Sequence, residues 1–128
     1  MRILLVSEHP PPDELVASLQ QAGVALQLPP AELAPRSDAS ELTEIASALR
    51  EFEQLMSRDG PDAVLLGSAS NQALGALLVA SKLGVPVARL EGVPGEGASP
   101  INRRVIEQLA DATLAGEAEA IAAWARDT

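Results

Sequence analysis

Apolar positions follow two different rhythms along the chain. Short, largely apolar runs recur at 2–7, 24–28, 62–66, 85–90 and 112–115, the first continuous and the second weakly alternating, most of them bounded by proline, glycine or acidic residues. Runs of that length read as strands, and strands apolar on both faces belong in a parallel sheet covered from two sides. Between them the spacing changes to three and four. Leu15, Val16 and Leu19 share a helical face within 13–22, and Gly23 closes it. Leu42, Ile45, Leu49, Phe52 and Met56 mark a stronger helix that Asp59-Gly60-Pro61 ends. Asp38, with Glu41 three residues on, predicts a capping box in which Asp38 is the N-cap. The stretch 70–83 reads as a helix apolar almost all round, stopped by Gly84. Ile101, Val105, Ile106 and Leu109 predict a fourth helix, and 117–126, with Ile121 and Trp124, a fifth. Polar, proline-rich connections are expected at 29–39 and 92–100.

Strands alternating with helices at this spacing require right-handed crossovers. The expected fold is a single Rossmann-like three-layer α/β/α domain over 1–128. It has a parallel sheet of about five strands in the order 3-2-1-4-5, and no repeats, heptads or internal boundary. Ligands of such sheets bind outside the carboxyl ends of the strands, where the strand order reverses. That places the loops 7–12, 67–71, 91–99 and 116–117 on one rim.

Composition narrows the choice. Hydrophobic residues make up 47% of 128 but aromatics only 2%, so the core is built from Leu, Val, Ile and Ala. A net charge of −9, with Lys82 and eight arginines in no dominant block, argues against nucleic acid and against an anionic membrane surface. With no cysteine there are no disulfides, thiolate metal sites or cysteine nucleophiles. The first apolar run is too short for a signal sequence, and the longest, 73–80, is far below a membrane span. A cytoplasmic protein without cofactor or metal is expected.

Candidate chemistry lies on the predicted rim. The turn 67–71 precedes a helix, so its backbone N–H groups favour an anion, and Ser68, Ser70 and Asn71 add short polar groups beside Gly67. Ser70 alone reads more simply as a helix cap. His9, in "EHPPP", stands where a base could act, but no acidic or hydroxyl partner is visible beyond Glu8. Glu91 ends a buried strand, a place where a carboxylate is cheap only if it faces the open rim. It is either an acid, base or sugar-hydroxyl acceptor, or a partner for Arg103 or Arg104. Asn102, Arg103 and Arg104 open the next helix, where cations oppose the helix dipole and call for an anionic partner such as Glu91, Glu96 or a phosphate. There is no Rossmann glycine fingerprint after the first strand and no P-loop, which disfavours a dinucleotide or ATP enzyme.

Together, "PDAVLLGSASNQALGALLVASKLGVPVARLEG" and "INRRVIEQLADATLAGE" resemble the amino-terminal domain of non-hydrolysing UDP-N-acetylglucosamine 2-epimerases. That family carries a "PD-x-V-x-V-x-G-D-T" strand and turn, then "L-G-I-P-V-x-H-x-E-A-G-L-R", "E-x-N-R-x-x-x-D" and "D-x-x-F-A-P-T-E". The match runs from about Pro61 to Glu117 in order and spacing, apart from the short glycine-rich loop, while the first 60 residues agree mainly in layout. The resemblance implies a UDP-sugar ligand, a two-domain parent enzyme that eliminates and re-adds UDP, and a dimer.

The departures are as informative. Ser68 holds the place of the aspartate in "G-D-T", Pro100 that of the glutamate before "x-N-R", and Gly95 that of the arginine in "E-A-G-L-R". "SEHPP" replaces a "G-T-R-P-E" turn, with His9 where arginine is expected. Of the family's carboxylates in this half, only Glu91 is expected to remain, beside Asn102 and Arg103. A serine cannot replace a carboxylate as proton acceptor without a base beside it. The expected function is a 2-epimerase-like domain, catalytically impaired alone, that binds a nucleotide-sugar or a protein partner. The alternatives are an active epimerase completed by a separate chain, or a structural homodimer. A homodimer is expected through the helix 70–83, whose small residues Ala73, Gly75, Ala76 and Ala80 leave a close-packing surface.

Overall fold

A computed structural model of the chain describes residues 1–30, 40–92 and 100–128. The strands are β1 (Arg2–Val6), β2 (Ala25–Gln27), β3 (Ala63–Leu66), β4 (Val87–Leu90) and β5 (Ala112–Leu114). They alternate with α1 (Asp13–Gln21), α2 (Glu41–Asp59), α3 (Asn71–Leu83), α4 (Pro100–Leu109) and α5 (Ala118–Asp127). All neighbouring strands pair in parallel.

The two-residue period of β1 and β3 divides the core. Leu4, Val6, Val64 and Leu66 point to one face, where they pack with Ala48, Phe52 and Met56 of α2, Ala76, Leu77 and Ala80 of α3, and Ile106 of α4. Ile3, Leu5, Ala63 and Leu65 point to the other, against Leu19 of α1 and Ile121, Ala122 and Ala125 of α5. Helices therefore cover both faces of the sheet, the three-layer α/β/α arrangement that the apolar runs imply.

The strand order is 2-1-3-4-5, not the 3-2-1-4-5 expected from the sequence. The reason lies in β2. Its three residues are exposed or half-buried, whereas all four of β3 are buried. A short strand carrying Gln27 suits an edge, and a wholly apolar one suits the centre. Chain direction across the sheet consequently reverses between β1 and β3, the place where open α/β sheets commonly hold a ligand.

Helix ends follow local chemistry with one correction. Ser40 is the N-cap of α2, its hydroxyl accepting the Thr43 N–H at 3.2 Å. The proposed cap, Asp38, lies outside the described residues, as do Glu96, Gly95 and most of the glycine-rich connection. Ser70 caps α3 by accepting the Ala73 N–H at 3.1 Å, and Gly84 closes it in the left-handed region at φ 76°.

The apolarity of α3 also has an intrachain explanation. A Cβ added at Gly75 would stand 2.6 Å from Ala48 Cβ, so α2 and α3 cross at near-backbone distance. Ala73, Ala76 and Ala80 are buried in the same core. The small-residue surface assigned to a second subunit is thus covered by α2, α4 and the sheet within this chain.

At the amino edge of the sheet, two aspartates tie neighbouring strands together. Asp62 accepts the Arg2 N–H at 2.8 Å and returns its own N–H to the Arg2 carbonyl at 2.9 Å. Asp111 does the same for Val87, at 2.8 and 2.7 Å. Each aspartate stands just before its own strand and fastens the start of the one beside it.

Candidate functional site

The carboxyl edge of the sheet is built around the β3–α3 turn. As β3 ends, the Gly67 N–H donates to the Val6 carbonyl at 2.8 Å, keeping β1 and β3 together into the crevice. A Cβ added at Gly67 would lie 3.0 Å from both Cβ and Oγ of Ser7. Only glycine allows that approach without moving the neighbour. Ser68 follows, 8% exposed, its hydroxyl sharing a 3.1 Å hydrogen bond with the Ser70 hydroxyl.

The start of α4 is fastened to this turn by Asn102, which is 4% exposed. Its Nδ2 donates to the Ala69 carbonyl at 3.2 Å and to Asn71 Oδ1 at 2.9 Å. A buried amide costs stability unless paired, and here the pairing sets α4 against the amino end of α3. Pro100, the first residue of α4, suits a first helical position, where its missing N–H is not needed.

Between these elements lies a cavity of about 260 Å³, lined by Leu66, Ser68, Ala69, Arg89, Leu90, Gly92, Arg103, Ile106 and Glu107. Arg89 projects from β4, its Nε bonded to Thr113 Oγ1 at 3.1 Å across to β5. Arg103 and Glu107 are four residues apart on α4, one face of one helix. Neither arginine has an ion-pair partner among the described residues.

The rim residues expected from the sequence divide accordingly. Gly67, Ser68, Ser70, Asn71, Asn102 and Arg103 come together around the β3–α3 turn and the start of α4. His9 does not join them. It is exposed in the turn beyond β1, and its backbone N–H donates to Ser7 Oγ at 3.4 Å. Glu91 is exposed at the cavity mouth between two lining residues, Leu90 and Gly92, and its N–H donates to the Leu114 carbonyl at 2.8 Å. Among the described residues it pairs with neither Arg103 nor Arg104.

Two charged cavity residues, Arg89 and Glu107, lie outside the set expected from the sequence. Arg89 stands at the histidine of "P-V-x-H-x-E", hidden in sequence by the apolar run around it. Glu107 occupies the last position of "E-x-N-R-x-x-x-D", so Glu91 is not the only carboxylate retained. The available signal was its four-residue spacing from Arg103. Among the described residues no cluster of three His, Asp or Glu side chains is placed to hold a metal.

A doubly covered parallel sheet with its polar groups gathered at the carboxyl ends of the central strands defines an open, three-layer α/β domain. Its fold is that found within UDP-GlcNAc 2-epimerases. The Methanocaldococcus jannaschii enzyme, solved in complex with UDP-GlcNAc and UDP, superposes with a TM-score of 0.71 at 18% identity, over 90% of this chain and 40% of that one. The Neisseria meningitidis enzyme bound to UDP-GlcNAc gives 0.64 at 17% identity, over 90% of this chain and 40% of that one. The Rickettsia bellii enzyme gives 0.62 at 16% identity, over 89% and 38%. This chain therefore spans about two fifths of the length of these structures. No protein-family model and no curated protein sequence matches it. Among the described residues no helix is long and apolar enough to cross a membrane.

Proposed function

We propose that this chain acts as a single cytoplasmic domain of the 2-epimerase type that binds a nucleotide-sugar at the β3–α3 rim and does not epimerise it unaided. The observation that carries this reading is Ser68. It stands in the "G-D-T" turn, 8% exposed, with the Ser70 hydroxyl as its hydrogen-bond partner; counted without a gap from Pro61-Asp62, the motif's aspartate falls on Ala69 rather than on Ser68, so the turn carries no carboxylate. A hydroxyl held by another hydroxyl has no base to accept its proton, and loss of one positioned acid or base commonly costs about 10²–10⁴ in rate. The ligand class is supported by the fold neighbours solved with UDP-GlcNAc or UDP. Titration with UDP and UDP-GlcNAc, followed residue by residue by NMR, tests it. Shifts are expected at Gly67, Ser68, Asn102 and Arg103, with no C2 epimer formed. Turnover lost in Glu91→Gln would instead establish an active epimerase.

A second reading, a homodimer, rests on the apolar groove between α2 and α3. It measures about 530 Å³ and is lined by Ala46, Leu49, Leu78, Val79 and Leu83 among others. Leu83 is 48% exposed there. Light scattering of the chain and of Leu83→Glu tests whether a second copy covers this face; a dimer that survives the substitution excludes it.

A further inference from the structure

We infer that the β3–β4–α4 cavity is the seat of the ligand's phosphate group rather than of a neutral sugar ring. The inference rests on the proposed reading of this rim as a ligand site. In a chain where acidic residues number 18 and Lys and Arg 9, Arg89 and Arg103 line one cavity with a single lining carboxylate, Glu107, and Glu91 at its mouth. Arginines thus match carboxylates here, whereas the protein as a whole is strongly acidic. Placing two guanidinium groups in one concavity costs mutual repulsion, which an oxyanion between them reverses. Both keep donors to offer: Arg89 uses Nε on Thr113, leaving its terminal nitrogens, and Arg103 has no partner among the described residues. Ser68 adds a buried hydroxyl at the cavity wall. Ala69, also in the wall, leads into the first turn of the thirteen-residue α3, whose amino end carries partial positive charge.

Size agrees with charge. At about 260 Å³ the cavity is below the usual range of small-molecule sites, about 300–1,000 Å³, and suits a phosphate-sized fragment better than a whole nucleotide-sugar. Arg89 is anchored at one end, so its fork is held in place before a ligand arrives, which lowers the entropy lost on binding.

The test is a titration of the chain with inorganic pyrophosphate, UDP, UDP-GlcNAc and N-acetylglucosamine in parallel, read by NMR at Ser68, Arg89 and Arg103 and by calorimetry. Pyrophosphate alone is expected to shift these residues and to weaken with added salt. Arg89→Gln and Arg103→Gln are each expected to lower its affinity about tenfold or more. Arg103→Gln, at an exposed position, keeps the test valid should Arg89→Gln not fold. Pyrophosphate binding without UDP-GlcNAc binding would uphold the inference and remove the nucleotide-sugar reading. UDP-GlcNAc binding that ignores both arginines, with no response to pyrophosphate, would overturn the inference and leave that reading intact. N-acetylglucosamine alone shifting Ser68 and Arg89 would also overturn it, and silence from every ligand would overturn both.

Discussion

Asn102 and Asn71 meet side chain to side chain, Nδ2 donating to Oδ1 at 2.9 Å, across the gap between α4 and α3. The same nitrogen reaches the Ala69 carbonyl at 3.2 Å, so one amide group joins two helices and a turn. Replacing it with alanine leaves buried acceptors unpaired, a loss of about 1–3 kcal/mol. Asn102→Asp is expected to be worse, because a carboxylate would face two acceptor oxygens. Chemical denaturation of the two variants ranks them, and equal stabilities would show that the amide donor is not what holds α4.

The α2–α3 crossing predicts a glycine that cannot be improved. Alanine is the better helix former by about 1 kcal/mol. Gly75→Ala would nonetheless place its Cβ 2.6 Å from Ala48 Cβ. Overpacking of this kind costs about 1–3 kcal/mol, so the variant should lose stability. Ala48→Gly in the same chain should recover part of the loss, and a strictly additive pair would refute the contact.

At the crevice, Gly67→Ala should act on binding more than on stability. Its Cβ would press on Ser7 at 3.0 Å, and relief requires the ends of β1 and β3 to part by a few tenths of an ångström. A destabilisation of about 1 kcal/mol is expected, with a weaker response to UDP-GlcNAc in the titration. Ser7→Gly should restore both.

Ser68→Asp places a carboxylate in the β3–α3 turn. Burial at 8% exposure makes that charge costly, and it would lie in a cavity shared with Arg89 and Arg103. Pyrophosphate affinity is expected to fall about tenfold or more as the new carboxylate competes for the guanidinium groups. Product analysis by NMR should still find no epimer of UDP-GlcNAc, since Pro100 offers no side-chain acid or base in place of the motif's glutamate.

Much of this arrangement is legible in the amino-acid sequence. The β1 and β3 runs, the three-and-four spacing of α2 and the turn at Gly84 follow from local rules, which is why element identities agree with the structure. Strand order is a non-local property. It turned on which apolar run tolerates an open edge, and in β2 the clue was Gln27 and the brevity of the strand. The cavity was partly hidden for a similar reason. Arg89 lies inside an apolar strand and Glu107 a full helical turn beyond the motif residues that drew notice. The small-residue face of α3, which reads in sequence as a subunit contact, is taken by α2 of the same chain, a pairing between distant segments that local spacing does not encode.

The paired aspartates of the sheet's amino edge have a consequence for how the opposite rim can change. The carboxylates and N–H groups of Asp62 and Asp111 grip only backbone groups at the starts of β1 and β4, whatever side chains those strands carry further on. Substitutions at the carboxyl ends of the strands therefore leave these two fastenings untouched. The strand frame can be re-equipped with acids, arginines or neutral donors while its alignment is maintained from below, which makes it a practical starting scaffold for grafting new anion or sugar specificities.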